Sequence, residues 1–459
     1  MSRIGQPFAF WKSAPALLAA ALLLSGAGSV PAQTNKLALV GGMLLDGYEV
    51  PPLHHAAVLI EGERIVRVGR AAEVEIPADY EVVDTSGRTM LPGLIDLHAH
   101  LVILGHGAYA EWFPWMEERG REETIDEVMA ISAKQLLMAG VTTAMDLGGP
   151  LRGSLNVRDR INAGEIPGPR LWMSGPWLAR RVGVFPEDYQ IEVTSPEGAA
   201  QSTEELARAG VDVIKAHSGL ALEDYRAIVE VAHRHGLKVH AHVYAPEDVQ
   251  NAFEGGVDVL THAGSAGTPP YPPELLRDIV VRGIPVVITG AHRVWVFPAT
   301  VAFPERLQDP RLKEDFPPDM YAEVQRSLEN FHTLRYFRTT PRQMFFGDAS
   351  LGQFIDAGAV MGMGTDSGTP MNFHTEAMWR EIKSHVDLGM SPQRAISATT
   401  RINARILGRS ADLGTVEAGK LADIIVVKGD PLFNIMALAD VETVVKGGKV
   451  FKGGSAVGR

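Results

Sequence analysis

The sequence predicts an α/β chain: a (β/α)8 TIM barrel carrying a small β-sandwich domain built from both termini. Three observations predict it. The middle of the chain alternates short apolar runs with helical stretches, the order that gives a parallel sheet. Eight such runs can be counted, which is the barrel number, and histidine or aspartate stands at the carboxyl end of several. Both ends of the chain read instead as short strands punctuated by glycine turns. A length of 459 residues, 46% hydrophobic and 21% charged, suits one barrel plus one smaller domain better than three domains.

Residues 1–32 read as a signal peptide. Arg3 and Lys12 give a positive start, Ala14 to Gly28 is almost wholly apolar or small, and Val30-Pro31-Ala32 offers a cleavage site. The apolar run is about 15 residues, short of the roughly 20 that span a bilayer, so an uncleaved anchor is the lesser reading. The mature chain is expected to begin near Gln33. It is expected to be periplasmic or secreted, without stable membrane insertion after cleavage.

From there the elements follow in order. Leu37–Val40, Ala57–Ile60 and Ile65–Val68 are short strands separated by Gly41-Gly42 and Glu61-Gly62. Ala422–Val427 and Val441–Val445 resume that style, so residues 33–90 and 409–459 are assigned to one composite sandwich and 91–408 to the barrel. The barrel strands begin near Leu94, Val141, Arg170, Val211, Leu237, Val257, Ile284 and Ala359. Helical patterns lie between them, as at Glu204–Ala209 and Leu222–His235. The long connection from about Gly290 to Gly358 is expected to hold helix as well as loop. A doubly wound open sheet is the alternative, but it would not bring polar residues from so many strand ends to one point.

Charge and composition narrow the function. The formal charge is −12, from 43 Lys plus Arg against 55 Asp plus Glu, with no basic stripe, so nucleic acid is an unsuitable partner. Cysteine is absent, which excludes thiolate nucleophiles, thiolate metal sites and disulfides. Any metal must rest on nitrogen and oxygen ligands. A homo-oligomer is compatible with these features.

Such ligands stand at the strand ends. The first strand ends in Asp96-Leu97-His98-Ala99-His100, and residues two apart in a strand share a face. The fourth holds Val213-Ile214-Lys215-Ala216-His217, the fifth ends in His240-Ala241-His242, the sixth in His262, and the eighth in Thr365-Asp366. His98, His100, His240, His262 and Asp366 would converge near the barrel axis as ligands for zinc or a similar divalent ion. A lone buried histidine is usually structural, whereas five on the expected strands argue for a site.

These residues resemble the amidohydrolase superfamily. Leu91-Pro92-Gly93-Leu94-Ile95-Asp96-Leu97-His98-Ala99-His100 is similar to its strand-one signature. Thr400, Asn403, Ala404, Leu407 and Gly408 fit its Thr-x-x-Asn-Ala-x-x-Leu-Gly pattern, and Gly414–Asp423 is similar to its return into the small β-domain. The nearest branch is the one with imidazolonepropionase-like enzymes, bacterial prolidases and carboxypeptidases. The resemblance implies two divalent metal ions, with Zn²⁺ the first expectation. It assigns His98, His100 and Asp366 to one metal, His240 and His262 to the other, and Lys215, carboxylated by carbon dioxide, to the bridge between them. A buried lysine of lowered pKa is what carbamylation needs; a surface or salt-bridged lysine is the other reading. The arrangement implies amide or peptide hydrolysis through a metal-bridging hydroxide, with Asp366 moving the proton.

One position departs from the pattern. Deaminases and imidazolonases of the superfamily carry a carboxylate two residues after the strand-five histidine, and here His242 stands there. That argues against deamination. His242 is then either a substrate contact or a packing group. Tyr244 resembles a contact to a substrate carboxylate in the peptidase-like branch. Arg180 and Arg181 could meet a carboxylate or be solvated loop residues, with the second reading favoured. Two aromatic stretches, Tyr109, Trp112, Phe113 and Trp115 after strand one and Trp295, Phe297 and Phe303 after strand seven, either line an apolar pocket or pack locally. The expected substrate is an N-acyl amino acid or dipeptide with an apolar group and a free carboxylate. Ester, lactone or phosphotriester hydrolysis at the same site is one alternative, and a non-catalytic periplasmic binding protein is another.

Overall fold

Branched residues separated by tight turns make the N-terminal strands. They are β1 (Lys36–Val40), β2 (Met43–Leu44), β3 (Ala56–Glu61), β4 (Arg64–Arg70), β5 (Glu81–Asp84) and β6 (Arg88–Pro92). The computed structural model describes residues 35–453 except 181–182, 184, 218, 265–269 and 293–295; the expected signal peptide lies outside the described residues. β4, β3, β1 and β5 pair in that order as one sheet.

The parallel strands come next: β7 (Leu94–Ala99), β8 (Val141–Asp146), β9 (Arg170–Met173), β10 (Trp177–Ala179), β11 (Gln190–Glu192), β12 (Val213–Ala216), β13 (Lys238–His242), β14 (Val259–Thr261), β15 (Val286–Val287) and β16 (Met361–Gly362). β7, β8 and β9 pair in one row, and β11, β10, β12, β13, β14, β15 and β16 in another, every pair parallel. The Asp212 N–H donates to the Met173 carbonyl at 2.9 Å and joins the rows at one side. At the other side the Leu97 N–H donates to Met363 and the Thr365 N–H to His98, both at 3.0 Å. Helices lie between the strands, as parallel connections require.

Five of these strands start one or two residues later than the apolar pattern suggests. The cause is shared. The N–H groups of Val211, Leu237, Val257, Ile284 and Ala359 each donate to a carbonyl five residues back, in the helix just completed. An apolar residue closing a helix in this way belongs to the helix end, although its hydropathy reads as the start of the next strand. The helix expected at Glu204–Ala209 is the last part of Pro196–Ala209, begun by Pro196 and by the Ser195 side chain accepting the Gly198 N–H, and ended at Gly210 with φ 88°. The long connection holds helices at Phe297–Ala302, Pro310–Asp315, Pro318–Leu328 and Arg335–Asp356.

The chain ends in β17 (Ile424–Lys428), β18 (Val441–Lys446) and β19 (Lys449–Lys452), which pair with the N-terminal β6 and β2 in the order β19, β18, β17, β6, β2. Leu37, Leu39 and Val58 of the first sheet share one buried core with Met90, Ile424, Val426 and Val445 of this one. β6 crosses the expected boundary at residue 90 because its backbone is spent on β17, from Ile424 opposite Pro92 to Lys428 opposite Arg88.

One side chain ties the parallel strands together. Asn403 is fully buried, donates to the Ile95 carbonyl at 2.7 Å and to the Met363 carbonyl at 2.8 Å, and accepts the Met363 N–H at 3.0 Å. It thereby holds β7 and the exit of β16 in one register. Asn403→Ala would strand three buried backbone groups, and we expect it to lower the unfolding free energy by about 3 kcal/mol. Urea unfolding checks this; a loss below about 0.5 kcal/mol, the scale of a neutral surface change, would contradict the staple.

Candidate metal centre

The site begins at the contact between β7 and the residues after β16. Asp96 is fully buried, and its carboxylate accepts the His98 and Thr365 N–H groups at 3.0 Å each and the Thr365 hydroxyl at 2.6 Å. Burial pushes its pKa up to about 7, against the pull of those donors. The alternation of β7 then sends His98 to the same side as His100. His98 Nε2 lies 3.6 Å and His100 Nε2 3.2 Å from Asp366 Oδ1.

His262 joins them from the end of β14. One ligand atom each from His98, His262 and Asp366 lie within 4.8 Å of one another, all three residues being buried. The Nδ1 of His262 is 2.7 Å from the Thr289 hydroxyl, which fixes the imidazole from its outer side. His262, Thr289 and Asp366 have φ of 66°, 45° and 56°, a conformation that side chains other than glycine seldom adopt. On the neighbouring strands Lys215 stands in register opposite His240. The Lys215 ammonium donates to Thr261 Oγ1 at 3.1 Å.

The charge states suit a cation. Among the described residues, neither ring nitrogen of His98 or of His240 has a hydrogen-bond partner, although both side chains are fully buried. Burial keeps both imidazoles neutral, lowering His98 well below its ordinary pKa and His240 to about 3. A neutral imidazole left without a donor or acceptor in the interior is costly, and a divalent cation is the partner its lone pair fits. Burial also lowers Lys215 to about 7. For Asp366 burial acts upward, but the contacts from His100 and His292 outweigh it and hold the carboxyl well below the usual range.

Beside this cluster opens a cavity of about 290 Å³. One wall is a ladder of rings. His217 stacks on His242 with centroids 3.9 Å apart and on Trp177 at 5.0 Å, and Tyr244 meets His242 edge-on at 4.7 Å. The apolar lining comes from Val102, Ile103, Tyr109, Phe185 and Tyr189, and Phe185 meets Trp177 edge-on at 4.9 Å. His242 and Tyr244 both line this cavity.

Other expectations are corrected. Arg180 does not line the cavity: it stays 30% exposed on the bend after β10, and its guanidinium clamps the buried Asp224 through two hydrogen bonds of 2.8 Å. Arg181 and Trp295 lie outside the described residues. The stretch after strand one is the start of helix Tyr109–Met138, and only Tyr109 of its aromatics lines the cavity. Trp112 is fully buried against Trp115, with ring centroids 5.2 Å apart, and Phe113 packs on Phe185 and Tyr189. Phe303 is 56% exposed.

Three groups escaped the sequence reading. His217 carries the same two-residue spacing from Lys215 that marks His242 from His240, and that signal was available. His292, just after β15, places Nδ1 3.5 Å from Asp366 Oδ2. The aromatic wall at Trp177, Phe185 and Tyr189 comes from the irregular segment around β10.

Comparison with known proteins agrees with this geometry. The model of the amidohydrolase family matches residues 89–451. The imidazolonepropionase of Clostridium tetani is 24% identical over 438 residues, covering 87% of this chain and 91% of that protein. That of Porphyromonas gingivalis is 26% identical over 435 residues, covering 86% and 89%. Among solved structures, one described as a candidate prolidase from Bifidobacterium longum is 27% identical with a TM-score of 0.71, covering 91% of this chain and 94% of that one. A Xaa-Pro dipeptidase with bound methionine in its active site has the same fold, with a TM-score of 0.71 at 23% identity over 91% of this chain and 100% of its own. The chain belongs to the amidohydrolase family, on its imidazolonepropionase-like side, as a hydrolytic enzyme acting on amide bonds.

Proposed function

We propose that this enzyme is an exported, metal-dependent hydrolase that cleaves the amide bond of an N-acyl amino acid or dipeptide-like substrate bearing a free carboxylate. Its frame in this reading is a closed (β/α)8 barrel over residues 91–408 with a composite β-sandwich from 33–90 and 409–459. The observation that carries the metal reading is the pair of fully buried, neutral imidazoles, His98 and His240, whose ring nitrogens have no hydrogen-bond partner among the described residues. The signal-like residues 1–32 support export to the periplasm or beyond.

His98, His100, His240, His262 and Asp366 would hold two divalent ions, Zn²⁺ first among them, with Lys215 between as a carbamate. When bound, these ions supply Lewis acidity for the acyl carbonyl and lower the pKa of water. The protein's own groups do the rest. Asp366, ionised beside His100 and His292, takes the attacking water's proton on its carboxylate and returns it to the leaving nitrogen. Lys215 must be neutral to add carbon dioxide, and its pKa of about 7 makes it so at neutral pH and above. The apolar wall of Val102, Ile103, Tyr109 and Phe185 receives the substrate's apolar group, and His242 and Tyr244 orient its carboxylate. The relatives named imidazolonepropionase share the frame, but the histidine at 242 in place of a carboxylate favours a substrate that brings its own negative charge.

Four outcomes test this. Purified protein should carry about two divalent ions per chain, lose activity on chelation, and lose at least one ion in His240→Ala. Asp366→Asn should lower kcat by about 10²–10⁴-fold on a panel of N-acyl amino acids and dipeptides. Protein free of metal and turnover after zinc or manganese reconstitution would end the metal-dependent reading. Exposure to ¹³C-labelled carbon dioxide should give a carbamate resonance that strengthens from pH 6 to pH 8 as the Lys215 amine loses its proton, and that is absent in Lys215→Ala. A labelled wild type with no such resonance removes the bridge. Phe185→Ala should raise KM for substrates with a large apolar group and leave KM for small ones within about twofold; equal effects on both would deny the apolar wall its part in selectivity.

A further inference from the structure

Glu381 lies in the helix Ala377–Asp387, and its side chain is wholly buried. A carboxylate in that position is expensive unless its oxygens are satisfied. Here they are spent on two backbone groups: the Gly290 N–H donates to Oε1 at 3.0 Å and the Ala291 N–H to Oε2 at 2.8 Å. His385, one turn on, comes within 3.4 Å of Oε1. Gly290 and Ala291 lead out of β15, and the next residue is His292. Its Nδ1 is 3.5 Å from Asp366 Oδ2, and both its ring nitrogens are 3.3 Å from the Thr369 hydroxyl. Thr369 in turn donates to the Asp366 carbonyl at 2.6 Å.

We propose that Glu381 is a positioning residue for the reaction: by clamping Gly290 and Ala291 it fixes His292 against the Asp366 carboxylate. The proposal rests on the reading of Asp366 as the proton acceptor. Asp366 faces His98 and His100 through Oδ1 and His292 through Oδ2, so an imidazole held at Oδ2 sets the rotation of the whole carboxylate. A proton acceptor turned by tens of degrees transfers poorly, and misplacements of about 1 Å cost up to 10²-fold in rate. The strand before His292 is too short to do this alone, since β15 has only Val286 and Val287 in its ladder. His292 also meets the Pro370 carbonyl through Nε2 at 3.3 Å, and the helix that follows the Asp366 segment adds the anchor on its backbone through Glu381.

The test uses the full metal-loaded enzyme and a double-mutant cycle. Glu381→Gln keeps the shape but turns an amide NH₂ toward one of the two backbone N–H groups. It should lower kcat about tenfold or more with KM within about twofold and metal content unchanged. Amide exchange at Gly290 and Ala291 should quicken. His292→Ala should lower kcat by a similar factor without quickening exchange at those amides. The double variant should lose no more than the worse single one, because both act through one contact. Should Glu381→Gln fail to fold, Glu381→Asp, which withdraws the carboxylate by one methylene, carries the same expectations. Faster exchange with wild-type kcat, or losses that multiply in the double variant, would overturn the proposal. Asp366→Asn run alongside separates the two readings: full turnover in that variant removes the proton-acceptor role itself, whereas a dead Asp366→Asn with multiplying losses removes only Glu381's part.

Discussion

Every feature of the site depends on the contact between β7 and the residues that leave β16. Backbone hydrogen bonds from Leu97 to Met363 and from Thr365 to His98 fix that contact, and two buried side chains lock it. Asp96 accepts three donors from the catalytic end, and Asn403 makes three hydrogen bonds lower down, one to Ile95 and two to Met363. Burying Asp96 raises its pKa to about 7, a cost the strands bear to keep one register. A slip of one residue would turn His98 outward and remove His100 from Asp366. The chemistry is thus held by groups that never need to touch a substrate.

A second constraint is the strain at three consecutive strand ends. His262, Thr289 and Asp366 all leave their strands in the left-handed region, at about 1–3 kcal/mol each. The turn at each point swings the chain over the end of the sheet. Local hydrogen bonds offset the cost: His262 to Thr289, and the Asn372 amide to the carbonyls of Thr365 and Asp366 at 2.9 and 3.0 Å. Beside these turns stand the buried, neutral imidazoles of His98 and His240, whose ring nitrogens make no hydrogen bond among the described residues. Burying polar groups in this way is costly unless they find partners, and it is the observation on which the proposed metal role rests.

Much of this was legible in the sequence, and the misses share a cause. Histidines spaced by two at the ends of apolar runs, a lysine in Val-Ile-Lys-Ala and an aspartate after Gly-Thr mark their positions because strand alternation is strict. Strand starts were misplaced where an apolar residue closes the preceding helix, since hydropathy cannot tell that role from a strand residue. For Trp112 and Phe113 the sequence left pocket lining and local packing open, since the aromatic stretch around Pro114 shows no clear helical face, and the structure gives local packing. His292 and Glu381 were invisible for another reason. Their partnership joins positions about ninety residues apart through backbone amides, which carry no residue signature. Trp177, Phe185 and Tyr189 belong to an irregular stretch broken at Gly175-Pro176, where no periodicity announces an inward face.

The two walls of the cavity come from different kinds of structure, and this bears on how its selectivity can change. The polar wall, His217, His242 and Tyr244, stands on or directly after β12 and β13, whose register also sets Lys215 opposite His240. Moving one of those rings moves a candidate ligand with it. The apolar wall comes from the segment after β7 and from the residues around β10 and β11, none of which supplies a group to the cluster of His98, His262 and Asp366 except through β7 itself. Tyr109 is the first residue of its helix, and Phe185 lies in the connection before β11. Residues there can vary in size with the strands of the cluster left in register, although Phe185 reaches His100 and His217 through Trp177. The polar lining is thus tied to the register that positions the histidine cluster, while the apolar lining is set by other segments.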